Sequence, residues 1–324
     1  MEEKIPLLCV VGPTASGKTK LAVSLAERFG GEVVSADSMQ IYRGMKIATA
    51  KPTPEEMGNI PHHLIDFLEP EIPFSVAQYA ERAKRIIREI YGRNRLPLLA
   101  GGTGLYVQAV TENIAFSEGG SDPAYREELK RLAEEKGNEA VLELLRREDP
   151  ELAPGLHPNN LNRIIRALEV KKITGIPLSE HNRRSRSEPL PYRLCMLGLS
   201  FHHRERLYRR IDSRVDRMLE MGLLEEAKQV LEREKNAATA MQAIGYKELR
   251  GYFEGKIPLE LAVENLKRET RRYAKRQLTW FKRDSRIRWL MIDEFENETE
   301  LLEAACETVG NSGILPEAGR KEAL

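Results

Sequence analysis

Cysteine is scarce in this chain of 324 residues: Cys9, Cys195 and Cys306 lie far apart and form no C-x-x-C pair. That argues against a disulfide framework or a structural zinc and points to reduced thiols in a cytoplasmic protein. Long apolar runs are also missing. No stretch approaches the roughly 20 continuous apolar residues of a membrane span, and residues 1–6 lack the basic and apolar regions of a signal peptide. Neither membrane contact nor secretion is expected. An excess of one charge is absent too, since 51 Lys and Arg face 50 Asp and Glu for a net charge of +1. The doublets His62-His63 and His202-His203 make no metal site, because adjacent residues point to different sides of an element and no carboxylate or thiol is spaced to join them.

Against these absences stands residues 7–21, LLCVVGPTASGKTKL. The apolar run 7–11 suits a strand buried on both faces, and Leu21, Ala22 and Leu25 fall at helical spacing after Lys20. Between them Gly12, Pro13, Thr14, Ala15, Ser16, Gly17, Lys18 and Thr19 fit G-x-x-x-x-G-K-S/T. Strand, loop and helix in that order form a concave anion site from backbone N–H groups and the helix N-terminus. Lys18 adds a full charge, and Thr19 places a hydroxyl where it can ligand Mg2+. The phosphate could belong to ATP, GTP or another diphosphate.

Residues 31–36 read as a second strand that delivers Asp37 and Ser38 to the sheet edge where α/β proteins place ligands. Asp37 is a catalytic candidate or a turn cap. The segment 41–54 is a basic loop. Ser75 and Gln78 form a capping box ahead of an apolar face made by Val76, Ala80, Ala83, Ile87 and Ile90. Residues 96–100 give another buried strand, running into Gly101, Gly102 and Thr103. Repeated strand, helix, strand order predicts a doubly wound parallel sheet of the P-loop NTPase type. A motor ATPase often carries an Asp where this strand meets Gly-Gly-Thr, so hydrolysis is not the expected purpose.

The pattern predicts a core of residues 1–115 and 196–290, an all-helical insertion at 116–195 entered through a hinge at 117–122, and an acidic, partly disordered segment at 291–324. In the insertion, Ile164 and Ile165 lie on an apolar face opposite Asn162, Arg163 and Arg166. Arg183, Arg184 and Arg186 form a further basic edge. Arg210, Arg214 and Arg217 cluster on one helical flank and could clamp a diphosphate or pair with nearby acids. Between 267 and 288 there are ten Lys or Arg against Glu269 and Asp284, with Tyr273, Trp280 and Phe281 interleaved. That is the composition of a nucleic-acid surface, or of a solvated helix with buried aromatics.

The ordered set GPTASGKT, DSMQIY, AGGTGLY, RIIRALE, AIGYKE and KRQLTWFKR resembles the tRNA dimethylallyltransferase family of the bacterial type across most of the chain. The resemblance implies transfer of the dimethylallyl group from dimethylallyl diphosphate to N6 of the adenosine at position 37 of tRNAs that read codons beginning with U. It implies release of diphosphate, a need for Mg2+, and an insertion that grips the anticodon stem-loop. Lys18, Thr19 with its metal, and Arg214 would neutralise the leaving group, and Asp37 would accept the amine proton. Matching positions for tRNA are Asp37, Ser38, Met39, Gln40, Thr103, Arg126, Asn162, Arg163, Ile164, Ile165, Arg166, Met241, Gln242, Ala243, Ile244, Gly245 and Tyr246. Lys275, Arg276, Gln277, Leu278, Thr279, Trp280, Phe281 and Lys282 complete that set. A monomer is expected. Eukaryotic relatives carry a C-terminal zinc finger, for which this chain has no cysteine pattern. A small-molecule kinase or a nucleotide-gated RNA-binding protein would share the loop, but the first leaves the basic helix without a purpose and the second leaves Asp37 without one.

Overall fold

The apolar run near the start of the chain forms strand β1 (Ile5–Val11), six of whose seven residues are buried because neighbours cover both faces. In the computed structural model residues 4–114, 120–185, 189–233 and 239–315 are described. After β1 come α1 (Lys18–Phe29), β2 (Gly31–Ser35), the short α2 (Pro54–Met57), β3 (His62–His63), α3 (Val76–Gly92), β4 (Leu96–Gly101) and α4 (Gly104–Thr111). Helices α5 (Pro123–Lys136), α6 (Asn138–Glu148), α7 (Leu161–Thr174) and α8 (Leu178–Ser185) follow. The chain then returns with β5 (Tyr192–Ser200), α9 (Arg204–Glu220), α10 (Leu223–Glu232), α11 (Lys247–Phe253), α12 (Leu259–Phe281), β6 (Ile287–Met291) and α13 (Glu298–Gly310).

The six strands form one parallel sheet in the order β3-β2-β4-β1-β5-β6. Leu7, Cys9 and Val11 point to one face, against Tyr79, Ala83 and Ile87 of α3 and Val107 and Val110 of α4. Leu8 and Val10 point to the other, against Leu21, Ala22 and Leu25 of α1. Alternation in a strand and a 3.6-residue period in each helix thus produce the doubly wound layers expected. Pairing of Val11 with Gly101 and of Ser35 with Ala100 brings the ends of β1, β2 and β4 to one edge. The α3 capping box is present: Ser75 Oγ accepts from the Gln78 N–H (3.2 Å) and Gln78 Oε1 accepts from the Ser75 N–H (2.8 Å).

Contacts divide the chain into Met1–Thr111 with Pro191–Leu324, and Glu112–Leu190. The second crossing falls before the expected 196 because Tyr192, Arg193 and Leu194 already pair with Ile5, Pro6 and Leu7. In the helical unit Leu129, Ala133, Val141, Leu145, Ile164, Ile165 and Leu168 make a separate core. Residues 117–119 of the expected hinge at 117–122, and residues 316–324, lie outside the described residues. Up to residue 315 the acidic segment is folded: Ala305, Cys306, Val309, Ile314 and Leu315 are buried in the core beneath α1, with Leu301 and Leu302 packed against it. Asn297 caps α13 through the N–H groups of Thr299 and Glu300. Acids crowd the solvent face of that helix, which hides its apolar face from a composition count.

Candidate active site

Gly12 leaves β1 with φ of 144°. A Cβ there would stand 2.6 Å from the Leu199 carbonyl oxygen, so only glycine fits. The loop that follows is braced from outside. Thr14 N–H donates to Gln277 Oε1 (2.8 Å), and Arg210 Nε donates to the Ala15 carbonyl (2.9 Å). Gln277 Nε2 donates in turn to the Gly102 carbonyl (2.9 Å), so α12 ties the phosphate loop to the end of β4. Lys18 Nζ bends back to donate to the Pro13 carbonyl at 2.6 Å. The Ser16 hydroxyl is buried and has no partner among the described residues.

The sheet edge opens into a cavity of about 320 Å³ lined by Lys18, Thr19, Asp37, Arg214, Lys247, Tyr273 and Arg276, among others. Four of its lining side chains are cationic and Asp37 is the one carboxylate, a balance that calls for an anion. Burial, then repulsion from Arg214, lowers the Lys18 pKa to about 7, with Asp37 pulling the other way. Burial also lowers that of Arg214. Lys18 keeps some solvent contact through the cavity, which moderates the desolvation. Asp37 Oδ1 accepts the backbone N–H groups of Met39 (2.9 Å) and Gln40 (3.2 Å), leaving Oδ2 without a partner among the described residues. It therefore caps a turn with one oxygen and keeps the other for a ligand. Thr103 Oγ1 accepts the Ser38 N–H at 3.0 Å and holds the adjoining backbone.

A proton balance follows from the lowered Lys18 pKa. A bound diphosphate restores the ammonium, so binding at pH 8 should take up a proton, and affinity should fall as pH rises above about 7. Calorimetry in buffers of different ionisation enthalpy measures that uptake. A value of zero would mean that Lys18 is fully charged before the ligand arrives.

The IPP transferase family model matches residues 40–284. The chain belongs to the IPP transferase family. It is similar to the tRNA dimethylallyltransferase of Thermoanaerobacter sp., 49% identical over 299 residues that cover 92% of this chain and 95% of the relative. It is 51% identical to that of Geobacillus kaustophilus, over 89% of this chain and 90% of the relative. The crystal structure of a tRNA isopentenylpyrophosphate transferase from Bacillus halodurans superposes with a TM-score of 0.69 at 44% identity, covering 95% of this chain and 98% of that one. A eukaryotic dimethylallyltransferase captured acting on tRNA superposes with a TM-score of 0.80 at 28% identity, over 97% and 81%.

Within this IPP transferase sheet, α9 and α12 supply much of the cavity wall. Asp212 and Asp216 pair with Arg271 and Lys267 of α12 (2.5 and 2.6 Å), and Arg214, with no ion-pair partner among the described residues, lines the cavity. Leu266, Thr270, Tyr273 and Gln277 recur at helical spacing and face it from α12. Tyr273 escaped the sequence reading as a site residue, although that spacing marks it. Its hydroxyl contacts Thr103 and Gln277, and burial, then the nearby Asp37, raises its pKa. Of the aromatics in the basic stretch, Phe281 is buried in the core and Trp280 is 37% exposed. Lys275, Arg276 and Lys282 have no carboxylate partner among the described residues.

Several positions matched to tRNA present no free side chain. Ile164, Ile165, Met241, Ala243, Tyr246 and Phe281 are buried, with Leu278 packed beside Leu207 and Ile211. Gln242, Ile244 and Gly245 line the cavity together with Met39 and Gln40, while Thr279 is exposed on α12. In the helical unit Arg126 makes a two-bond pair with Glu169 (2.6 and 2.7 Å), and Arg166 reaches the same carboxylate at 2.5 Å. Burial alone would raise the Glu169 pKa, but these guanidinium bonds and the Asp122 N–H outweigh it and hold it at about 2. Asn162 and Arg163 are exposed. Arg183 and Arg184 pair with Glu180, and Arg186 lies outside the described residues.

Proposed function

We propose that the chain is a cytoplasmic tRNA dimethylallyltransferase that works as a monomer on the anticodon stem-loop and takes dimethylallyl diphosphate as donor. The observation that carries this is the placement of two cations, Lys18 and Arg214, in one cavity whose single lining carboxylate is Asp37. The phosphate loop and Arg214 bind the diphosphate and favour its departure as the allylic C–O bond breaks. The exocyclic nitrogen of adenosine forms the new C–N bond, and its proton passes to Asp37 Oδ2. An exocyclic amine is a weak nucleophile because its lone pair is delocalised into the ring, so taking that proton assists attack. The base must leave its stack to reach Asp37.

No group of three or more His, Cys, Asp or Glu suited to a metal occurs among the described residues. A hard cation such as Mg2+ still fits, since it prefers oxygen, needs few protein ligands and draws the rest from phosphate and water. The Thr19 hydroxyl, at the cavity wall, would hold it. When bound it would supply charge neutralisation at the diphosphate. Incubating the protein with dimethylallyl diphosphate, Mg2+ and bulk tRNA tests the proposal. N6-dimethylallyladenosine is the expected product, and its absence under saturating donor overturns it.

Cations of both units meet RNA phosphates in this proposal. Arg163 and Arg276 carry no carboxylate partner among the described residues, unlike Arg126 and Arg166. Removing one arginine–phosphate pair lowers the slope of log affinity against log salt by about 0.7 to 0.9. The Arg163→Ala, Arg276→Ala double variant should therefore bind tRNA more weakly with a flatter slope while prenyl diphosphate affinity holds. Unchanged strength and slope would assign both arginines to a solvated face.

A further inference from the structure

Glu226, on α10, takes no part in the transfer chemistry. Its carboxylate accepts three consecutive backbone N–H groups: Lys46 (2.8 Å) and Ile47 (2.7 Å) on Oε2, and Ala48 (2.9 Å) on Oε1. Oε1 also accepts the hydroxyl of the buried Tyr246 at 3.0 Å. Gln40 holds the other side of the same loop, its Nε2 donating to the carbonyls of Thr49 (3.2 Å) and Ala50 (3.1 Å). A segment belonging to no helix or strand is thus clamped between an anion and an amide. Such a concentration of bonds on one loop is more than chain reversal requires.

The place of the loop gives the clamp its meaning. On α9, Arg210 touches the phosphate loop, Arg214 stands beside Lys18, and Met218 follows about 6 Å further along the axis. Met218, Leu223, Ala48 and Gly245 all line the cavity. Gly245 has φ of 121°, and a Cβ on it would lie 2.8 Å from Ala48 Cβ and 3.9 Å from Leu223 Cδ1. Ala48 and Gly245 therefore pack closely in the cavity wall, where Met218 and Leu223 add apolar surface, while Lys18 and Arg214 make it cationic at the phosphate loop. A donor with its diphosphate on the loop has limited space for carbon before it meets that wall.

We propose that Glu226 is a positioning residue that limits the length of prenyl chain accepted, by clamping residues 46–48 so that Ala48 closes the apolar end of the donor cavity. This rests on the prenyl transfer proposed above. The test compares wild type and Glu226→Gln with dimethylallyl and geranyl diphosphates on bulk tRNA, reading kcat/KM for each donor together with Tm. Glutamine matches glutamate in shape but turns an NH2 group toward backbone donors, so at least one bond is lost and the loop is released. The ratio of kcat/KM for the ten-carbon over the five-carbon donor should rise about tenfold, the scale on which a wall contact discriminates, with Tm little changed. Tyr246→Phe removes one donor, should move the ratio the same way by less, and decides the matter if the glutamine variant does not fold. An unchanged ratio in the folded variant overturns the inference even if kcat falls, since a merely structural residue would lower both donors alike. If the wild type modifies no adenosine with either donor, the prenyl-transfer reading falls first and this inference with it.

Discussion

Lys18→Ala abolishes transfer, with a loss of about 10³-fold or more in kcat/KM, and leaves the fold intact. The size follows from the charge that grows on the diphosphate as the allylic bond breaks. One neutral donor at a developing anion contributes about 10² to 10³ in rate, and a desolvated ammonium contributes more. Lys18 stands in a cavity where burial and Arg214 already lower its pKa to about 7, so its interaction with an arriving anion is little screened by water. The fold survives because the side chain makes a single hydrogen bond among the described residues, to the Pro13 carbonyl, and its removal relieves repulsion with Arg214. Transfer kinetics at saturating prenyl diphosphate, with a melting curve on the same sample, provide the measurement. Wild-type turnover by that variant would remove the phosphate loop from the mechanism.

Asp37→Asn should keep both substrates bound and slow the chemical step by roughly two to four orders of magnitude, the usual worth of a positioned general base. The geometry makes this substitution unusually clean. The amide oxygen can replace Oδ1 and go on accepting the N–H groups of Met39 and Gln40, so the turn is preserved. Only the Oδ2 position changes, and an amide nitrogen cannot take a proton from the attacking amine. Single-turnover rates with preformed complexes isolate the step. If those rates hold while tRNA affinity collapses, Asp37 is a binding residue and the base lies elsewhere.

The features most legible in the sequence are those fixed by neighbours a few residues away. The phosphate loop and the Ser75–Gln78 capping box each depend on local spacing, and both are present as read. Strands β1, β2, β4 and β5 are runs buried on both faces, which composition shows directly. Strand β3 is two residues long, and β6 carries Arg288 with a mostly half-buried side. The histidine pair of β3 offers no apolar signal and depends on tertiary pairing, whereas β6 is apolar at Ile287, Trp289, Leu290 and Met291, a run obscured by the basic stretch that precedes it. Arg166 reads as an available cation because the carboxylate that binds it and Arg126, Glu169, lies on the buried face of α7, where a pattern of apolar residues gives no hint of an ion. Tyr273 was hidden for the opposite reason: amid ten basic residues an aromatic suggests a stacking surface, yet this one faces the donor cavity.

Gln277 gives the two substrates a common mechanical element. Its amide holds the Thr14 N–H of the phosphate loop and the Gly102 carbonyl, one residue along α12 from Arg276, which faces the same cavity. If tRNA engages that turn of helix as proposed, restraining it restrains the donor loop as well. Equilibrium thermodynamics then imposes a symmetry: whatever factor bound tRNA contributes to the affinity for the prenyl donor, bound donor must contribute to the affinity for tRNA. A substitution at Gln277 that uncouples the loop from the helix would bring both factors toward unity together, without touching either ligand's charge contacts.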